Sequence, residues 1–426
     1  MATSKAASLD LDRILDTEVD WRFKGFPTGA PVALRHVRER GWNALDGDFM
    51  MPVMLLKASA LRHNVDAMAA LCDRTGVYLS PHAKTSMAPQ LVQMQLTAGA
   101  WAVTAATTWQ ARVWRSLGVD RIILANELVE PGSIEWLAQE QRRDPDFDFY
   151  CLVDSVAAVR GLDRSPGFKV LLELGFTGGR TGCRNETQAL EVAAAVKASS
   201  HVTLAGVECF EGIIHADKLQ DTLKSVDGLL GRIRALTQEL DGEGYFERAA
   251  EIVLTAGGSA FFDRVIEELG KRWGLSKPVR TVLRSGCYIT HDAVHYHDAS
   301  PMGSRIKGTD PLEEAFEVWG VVLSVPEPGL ALLGFGKRDV PYDMDLPVPR
   351  YIKRGREAVR EFAQPAKIFN TNDQHAYLRL DSAEDLRVGD LVGCGISHPC
   401  TAFDKWRLIP LVDDDYRVID AIMTFF

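Results

Sequence analysis

The segments FKVLLELG (168–175), ETQALEVAAAVKAS (186–199) and VTLAGVECF (202–210) follow one another along the chain. The first and third are short apolar runs typical of buried strands, and the second is long enough for one helix. A strand, a crossover helix and a second strand predict a βαβ unit, with two parallel strands in one sheet.

The same alternation extends to both sides of this unit. Helical stretches such as 60–76 and 89–100 separate further apolar runs. The additional predicted strands are MPVMLLKAS (51–59), VYLSPHAKT (77–85), AVTAAT (102–107), RIILAN (121–126), FYCLVDS (149–155), EIVLTAGG (251–258) and RTVLRSGCY (280–288). Eight or nine such strands within about 240 residues favour a closed barrel over an open sheet.

The pattern changes near residue 300. Apolar and polar residues then alternate between Gly and Pro turns, which is typical of antiparallel strands. We therefore predict an α/β fold with an N-terminal (β/α)8 TIM-like barrel and a C-terminal, mostly antiparallel β domain. The predicted domains are an N-terminal extension that packs on both of them (1–49), the barrel (50–300) and the β domain (301–426).

Composition limits the classes of function. The chain has 426 residues, 46% hydrophobic and 25% charged, which is the composition of a globular protein. A net charge of −10 without a basic block argues against nucleic-acid and anionic-membrane partners. No apolar run approaches a membrane span of about 18 residues, and the start of the chain lacks the apolar core of a secretory signal. Seven cysteines without a CxxC pair indicate a reducing compartment, so a cytoplasmic location is expected.

The segment SPHAKT (80–85) places a lysine directly after a predicted strand. Pro81 ends that strand, and Lys84 follows at the edge where α/β barrels carry their active sites. A lysine that loses solvent there becomes a nucleophile and a general base, because its pKa falls. The same spacing also fits a solvated lysine at the start of a helix.

The segment TAGGS (255–259) lies between a predicted strand and a helix-like stretch. Paired glycines let the backbone approach a ligand, and N–H groups at a helix start bind phosphate. An ordinary tight turn capped by Ser259 is the alternative.

The segment LELGFTGGRTG (172–182) has four glycines around Arg180 after another predicted strand. This arrangement could direct the guanidinium toward a cofactor oxygen. A surface loop without a ligand fits the pattern as well.

Three further segments carry possible metal ligands. In His398-Pro399-Cys400, imidazole and thiolate share a face when the chain is extended, and this donor pair suits Zn²⁺ with open positions for a substrate. A loop histidine beside a buried cysteine is the alternative. The segment THDAVHYH (290–297) has metal-like spacing, but its histidines could simply form hydrogen bonds. NDQH (372–375) fits a functional group or a turn equally well.

These segments occur together in a known order. PHAKTSMAPQL, LELGFTGGRTG, TAGGS, RSGCYITHD, NDQHA and HPCTAFDKW follow one another as in the D-serine dehydratase/D-threonine aldolase-like family. The chain resembles that family, whose members are fold-type III pyridoxal-phosphate (PLP) enzymes related to alanine racemase, and in particular its bacterial amino acid deaminase-like branch. The resemblance runs from about residue 50 to the end of the chain, and it implies an N-terminal barrel and a C-terminal β domain.

The resemblance also implies roles for individual residues. Lys84 would bind PLP covalently, and Arg180 would face the ring substituents. A divalent metal, Zn²⁺ before Mn²⁺ or Mg²⁺, would bind His398 and Cys400. The residues implied at the cofactor phosphate are Thr255, Gly257, Gly258, Ser259, Gly286, Cys287 and Tyr288. The residues implied near the substrate are His82, Gln374 and His375, and His375 would lie close to the metal.

One departure from the family pattern falls in ECFEG (208–212). Relatives place a tyrosine near the pyridine nitrogen of the cofactor, and here two carboxylates flank the gap. A carboxylate at that nitrogen would keep the ring protonated and make it a stronger electron sink. Glu208 or Glu211 in that role is a hypothesis.

The activity implied is a PLP- and metal-dependent dehydratase of D-β-hydroxy amino acids such as D-serine or D-threonine, yielding a 2-keto acid and ammonia. Lys84 would remove the α-proton, and the metal would help the β-hydroxyl leave. The alternatives are retro-aldol cleavage to glycine and an aldehyde, dehydration of 3-hydroxyaspartate or D-glucosaminate, and a non-catalytic PLP-binding protein. Relatives that catalyse aldol cleavage carry Asp at the position of Cys400, which favours elimination here. A small D-amino acid is the expected partner, and related folds form homodimers.

Overall fold

The computed structural model describes residues 8–27, 29–163, 167–380 and 386–426. The first elements in the chain are α1 (Asp12–Leu15), β1 (Glu18–Val19), β2 (Val32–Ala33), a 3-10 helix (Leu34–Arg40), β3 (Val53–Lys57) and α2 (Ala58–Thr75). No helix within the described ranges combines the length and hydrophobicity needed to cross a bilayer.

Strands and helices then alternate. The strands are β4 (Tyr78–Leu79), β5 (Val103–Ala105), β6 (Arg121–Glu127), β7 (Asp148–Val153), β8 (Phe168–Glu173), β9 (Val202–Glu208), β10 (Ile252–Ala256) and β11 (Val279–Leu283). The helices are α3 (Pro89–Thr97), α4 (Thr108–Ser116), α5 (Pro131–Arg143), α6 (Val156–Leu162), α7 (Glu186–Ala198), α8 (Leu219–Gly242) and α9 (Phe262–Leu269). The eight strands form one parallel sheet in the order β4-β11-β10-β9-β8-β7-β6-β5.

The two end strands of this sheet meet. The N–H of Trp101 donates to the carbonyl of Leu79 over 2.7 Å, and the N–H of Thr104 donates to that of Pro81 over 3.0 Å. The N–H of Ala83 donates in turn to the carbonyl of Thr104 over 2.9 Å. The bonds between β5 and the segment after β4 close the sheet, and the predicted TIM-like barrel is confirmed.

The apolar runs form strands because side chains on both faces of the sheet are buried. Alternate positions of β6 to β11 point into the barrel and pack as a separate cluster. Its members are Ile123, Tyr150, Leu152, Leu171, Ala205, Val253 and Val282. The intervening positions, such as Phe149 and Cys151, pack against the surrounding helices. The barrel centre is therefore filled, and the open space lies at the ends of the strands.

The C-terminal part begins with a 3-10 helix (Cys287–Ile289) and α10 (His295–Ala299). Its strands are β12 (Phe316–Glu327), β13 (Leu330–Leu333), β14 (Val348–Lys353), β15 (Arg360–Glu361), β16 (Ala366–Thr371), β17 (Ala376–Leu380), β18 (Leu391–Gly395), β19 (Leu408–Val412) and β20 (Val418–Met423). Two short 3-10 helices, Pro399–Thr401 and Phe403–Lys405, precede β19. Together with β3 these strands form a ten-stranded sheet, antiparallel except where β19 runs parallel to β3, so the predicted β domain is confirmed.

The strand predicted at 51–59 is present but belongs to the other sheet. β3 pairs with β12 and with β19, not with a barrel strand, which corrects its assignment to the barrel. Residues before β3 pack on the same sheet, where Phe26 and Leu34 share a cluster with Trp319. The domain limits at 1–49, 50–300 and 301–426 stay predictions.

Gly206 allows the close pairing of β9 and β10. A Cβ at this position would collide with the backbone carbonyl of Val253 on the neighbouring strand. We expect Gly206→Ala to lower the free energy of unfolding by about 3 kcal/mol or more, because the two strands would have to separate. Gly228→Ala, on the exposed face of α8 where a Cβ meets nothing within 4 Å, should instead stabilise by about 0.5–1 kcal/mol. Urea unfolding of both variants measures the difference, and equal midpoints would contradict the packing argument.

Candidate functional site

A cavity of about 160 Å³ opens at the carboxyl ends of the barrel strands. This is the end at which α/β barrels place their catalytic groups. The lining residues are His82, Lys84, Ala106, Ala125, Asn126, Leu152, Arg180, Thr181, Glu208, Phe210, Gly258 and Arg284. Of the residues singled out in the sequence, the cavity therefore brings together His82, Lys84, Arg180, Glu208 and Gly258.

Lys84 lies in the turn that follows β4. Two hydrogen bonds hold the end of that strand: the hydroxyls of Ser80 and Thr104 lie 2.7 Å apart, and Thr104 donates to the carbonyl of Ser80 over 2.8 Å. Among the described residues the amine of Lys84 makes neither a hydrogen bond nor an ion pair. It is available to a ligand in the cavity.

His82 lies beside this lysine with its Nδ1 buried and without a hydrogen-bond partner in the described chain. Burial and the positive charges of Lys84 and Arg284 hold the pKa of His82 well below its usual range. The imidazole is therefore neutral at physiological pH and resists protonation.

An ion pair closes one wall of the cavity. Arg284, directly after β11, donates to Glu208 at the end of β9 over 2.5 Å, and it donates to the carbonyl of Cys209 over 3.0 Å. Both side chains are buried, at 5% and 1% exposure. Burial raises the pKa of Glu208, and the charge of Arg284 opposes the rise and favours the ionised carboxylate. Arg284 was not predicted as a site residue, although its position at the end of a predicted strand was an available signal.

Glu211 does not face the cavity. Its two carboxylate oxygens accept hydrogen bonds from the N–H groups of Gly257 and Gly258, over 3.2 and 2.8 Å. Burial raises the pKa of this carboxyl, and the backbone donors oppose the rise. The glycine pair assigned to phosphate thus holds a side-chain carboxylate, while Glu208, also suggested for the pyridine nitrogen, is paired with Arg284.

The other residues of the predicted phosphate site are dispersed. Thr255 donates its hydroxyl to the carbonyl of Val282 within the sheet, and Ser259 lies in the turn before α9. Tyr288 accepts a hydrogen bond from Gln95 over 3.0 Å and does not line the cavity.

Arg180 is positioned by its glycine-rich loop. The guanidinium of Arg184 donates to the carbonyls of Thr181 and Gly182 over 2.7 and 2.9 Å, and so holds the loop closed on itself. Arg180 then lies over the ring of Phe210, 4.7 Å from its centroid. The loop therefore has a defined conformation, and it presents a cation at the cavity wall.

His398 and Cys400 form the candidate metal site. The Nδ1 of His398 lies 2.7 Å from Asp343, which leaves Nε2 for a metal, as in many histidine ligands. Hydrogen bonding from Cys287 and the neighbouring His398 hold the pKa of Cys400 well below its usual range. Burial lowers the pKa of His398, but Cys400 and Asp343 outweigh it and raise the value to about 9. This imidazole and thiolate fit a zinc-like ion, since both are ligands that Zn²⁺ prefers.

The candidate metal site adjoins the lysine turn. Thr85, next to Lys84, places its hydroxyl 3.3 Å from the sulfur of Cys400. The sulfur of Cys287 also lies 3.3 Å from that of Cys400. His398 and Cys400 do not line the cavity, and Thr85, the residue after Lys84, is the link between the lysine turn and these candidate ligands.

Of the three histidines in 290–297, His295 borders this site. The ring of His295 lies 6.2 Å from that of His398. His291 is buried, which lowers its pKa to about 4, and its Nδ1 has no partner among the described residues.

Gln374 and His375 lie elsewhere, on the exposed turn between β16 and β17. Gln374 donates to Asp339 over 2.9 Å. Within the described ranges no hydrogen bond joins His375 to His398 or Cys400, and its place close to the metal stays a prediction.

The cavity residues fit PLP, an anion with a reactive aldehyde. Lys84 offers a free amine and Arg180 offers positive charge, while Arg284 is already paired with Glu208. A Cβ on Gly286 would lie only 2.6 Å from the carbonyl oxygen of His82, so the backbone here packs as closely as a glycine allows. The functional roles themselves stay predictions.

Three carboxylates that the sequence analysis did not select meet beside the cavity. Glu127 ends β6, Asp154 follows β7 and Glu173 ends β8, and one oxygen of each lies within 4.8 Å of the other two. Burial and the facing carboxyl of Glu127 raise the pKa of Glu173 to about 8. Their signal in the sequence was one acidic residue at each of three consecutive strand ends.

The raised pKa of Glu173 predicts a pH dependence of stability in the presence of EDTA. A carboxyl whose pKa is raised in the folded state stabilises the fold at pH values below its ordinary pKa of 4.5. That contribution is lost as the pH rises toward the folded-state pKa of about 8. Between these limits the free energy of unfolding should fall by at most about 5 kcal/mol. Glu173→Gln should flatten the slope in urea titrations, whereas Glu130→Gln, on a nearby exposed carboxylate, should keep it. A wild-type profile parallel to that of Glu173→Gln would rule the effect out.

Comparisons with known proteins agree with this architecture. The family model described as alanine racemase, N-terminal domain, matches residues 56–311, and that of a putative serine dehydratase domain matches residues 315–412. The chain is 24% identical to a 3-hydroxy-D-aspartate aldolase of Paracoccus denitrificans (strain Pd 1222), over 81% of this chain and 84% of that protein.

Solved structures share the fold. One is D-threonine aldolase from Filomicrobium marinum, with a TM-score of 0.70 and 21% identity over 88% of this chain and 95% of that one. Another is D-threo-3-hydroxyaspartate dehydratase from Delftia sp. HT23, with a TM-score of 0.66 and 18% identity over 88% of this chain and 97% of that one. A variant of a dehydratase of this name has been solved in a metal-free form.

Proposed function

The chain belongs to the alanine racemase-related family that includes D-serine dehydratase and D-threonine aldolase, and on this premise we propose that it is a PLP- and metal-dependent lyase of D-β-hydroxy amino acids. We further propose that it eliminates the β-hydroxyl, so that D-serine or D-threonine yields a 2-keto acid and ammonia. The observation that carries the proposal is the contact of Thr85, beside Lys84, with the sulfur of Cys400.

The bound PLP would supply an electron sink for breaking the Cα–H bond. A metal bound to His398 and Cys400 would act as a Lewis acid on the β-oxygen. Lys84 would take the proton from Cα, and the cation Arg180 would balance negative charge in the cavity. The neutral ring of His82 lines the cavity and would contact the substrate there. The hydrogen of Cα and the hydroxyl of Cβ are lost together as one water molecule. A second water molecule then hydrolyses the dehydrated product to ammonia and the 2-keto acid.

A second candidate activity is retro-aldol cleavage, because two of the similar proteins are named as aldolases. In that reaction the β-hydroxyl loses a proton and stays, and the Cα–Cβ bond breaks to give glycine and an aldehyde. The thiolate of Cys400 favours elimination, because it selects a zinc-like Lewis acid that can assist a leaving hydroxyl.

Incubation of the metal-loaded holoenzyme with D-threonine distinguishes the two. Elimination gives 2-oxobutyrate and ammonia, and aldol cleavage gives glycine and acetaldehyde. D-serine and D-threo-3-hydroxyaspartate extend the test, and L-threonine is the stereochemical control. Acetaldehyde as the main product would replace our proposal with the aldolase. No turnover of any of these substrates by a PLP-loaded protein would indicate a binding protein instead.

A further inference from the structure

Glu127, Asp154 and Glu173 form a carboxylate cluster at the ends of three adjacent barrel strands. The parallel sheet brings them together, because β6, β7 and β8 are neighbours and their carboxyl ends meet at one edge. The possible ligand atoms all lie within 4.8 Å of one another. Oxygen ligands about 2.4 Å from a central Ca²⁺ would span a similar distance.

Two oxygens of this cluster lack a hydrogen-bond donor within the described part of the chain. Glu173 is only 3% exposed, and one of its oxygens accepts from the hydroxyl of Thr181 over 2.8 Å. The other oxygen, and one oxygen of Glu127, are buried without a hydrogen-bond partner in the part of the chain described here. Ionised carboxylates only accept hydrogen bonds, so two that face each other need a proton or a cation between them.

We propose that Glu127, Asp154 and Glu173 bind one divalent cation that prefers oxygen ligands, of the Ca²⁺, Mn²⁺ and Mg²⁺ class. Carboxylates are the ligands that such hard ions select, whereas the imidazole and thiolate of His398 and Cys400 suit softer ions. The two sites therefore differ in the metal that they accept.

The cation would position the glycine-rich loop at the cavity. Thr181 donates to Glu173, and the N–H of Gly182 donates to Asp154 over 3.1 Å, so two of the three carboxylates are already bonded to this loop. Arg180 precedes those two residues and reaches the cavity wall. Ordering the carboxylates with a cation would order the loop, and with it Arg180.

Calcium titration of the zinc-loaded holoenzyme tests the proposal. Isothermal titration calorimetry should show one Ca²⁺ per chain, because Ca²⁺ does not compete for the imidazole–thiolate pair. Glu173→Gln should weaken binding by at least about tenfold. Glu130→Gln, which alters an exposed carboxylate near the end of β6, should bind as the wild type does. If Glu173→Gln does not fold, Glu127→Gln tests the same site from a less buried position and should weaken Ca²⁺ binding in the same way.

Hydrogen exchange of the loop gives a second readout. Calcium should slow exchange at residues 175–182 in the wild type and in Glu130→Gln, and it should have no effect in the cluster variants. Absence of Ca²⁺, Mn²⁺ and Mg²⁺ binding at millimolar concentration would leave only a proton shared between the carboxylates and overturn the proposal. Undiminished binding in both cluster variants would overturn it as well.

Discussion

Lys84→Ala should lower kcat/KM for the best D-β-hydroxy amino acid by more than about 10⁴-fold. The lysine has two proposed tasks, to bind the cofactor covalently and to take the proton from Cα, and alanine can do neither. The amine lies in the cavity free of any described partner, so its removal breaks no hydrogen bond or ion pair. The variant should therefore fold normally and unfold at nearly the wild-type urea concentration.

A covalent readout separates this role from a general loss of activity. Borohydride reduction of the PLP-loaded wild type should add the mass of the reduced cofactor to the peptide that contains Lys84. Lys224→Ala, on the exposed face of α8, should keep both the label and the activity. Labelling of another lysine in the wild type, or turnover by Lys84→Ala, would show that the site has been misassigned.

The barrel could be predicted because its strands are buried on both faces. Such strands are continuous apolar runs, and β6 to β11 all appear as such in the sequence. The partner of a strand is not a local property, however. β3 looks like a first barrel strand, yet its register is set by β12, more than two hundred residues later.

The same distinction applies to the site. Lys84 and Arg180 could be located because each follows a strand and carries a distinctive side chain. The pairing of Arg284 with Glu208 joins the ends of two strands 76 residues apart, which no local pattern reveals. Glu211 accepts hydrogen bonds from two backbone N–H groups only because its loop folds back over the glycines, which the local sequence does not show.

Removal of the candidate metal ligand Cys400 should have the second largest effect on activity, after removal of Lys84. Cys400→Ala should lose metal from the His398 site and lower kcat for elimination by about 10²–10⁴-fold, because the β-hydroxyl is a poor leaving group without a Lewis acid. Cys394→Ala, a buried cysteine in β18, is the matched control and should keep metal and activity. Cobalt substitution gives an independent readout, since a sulfur-to-cobalt charge-transfer band should be present in the wild type and in Cys394→Ala and absent in Cys400→Ala.

Cys400→Asp should instead move the site toward harder ions. A carboxylate in place of the thiolate favours Mn²⁺ or Mg²⁺, which assist loss of a proton from the β-hydroxyl more readily than its departure. With D-threonine the product should shift from 2-oxobutyrate toward glycine and acetaldehyde, with Mn²⁺ giving the larger shift than Zn²⁺. If Cys400→Asp with Mn²⁺ retains wild-type elimination, the choice between the two reactions does not depend on the ligand at position 400.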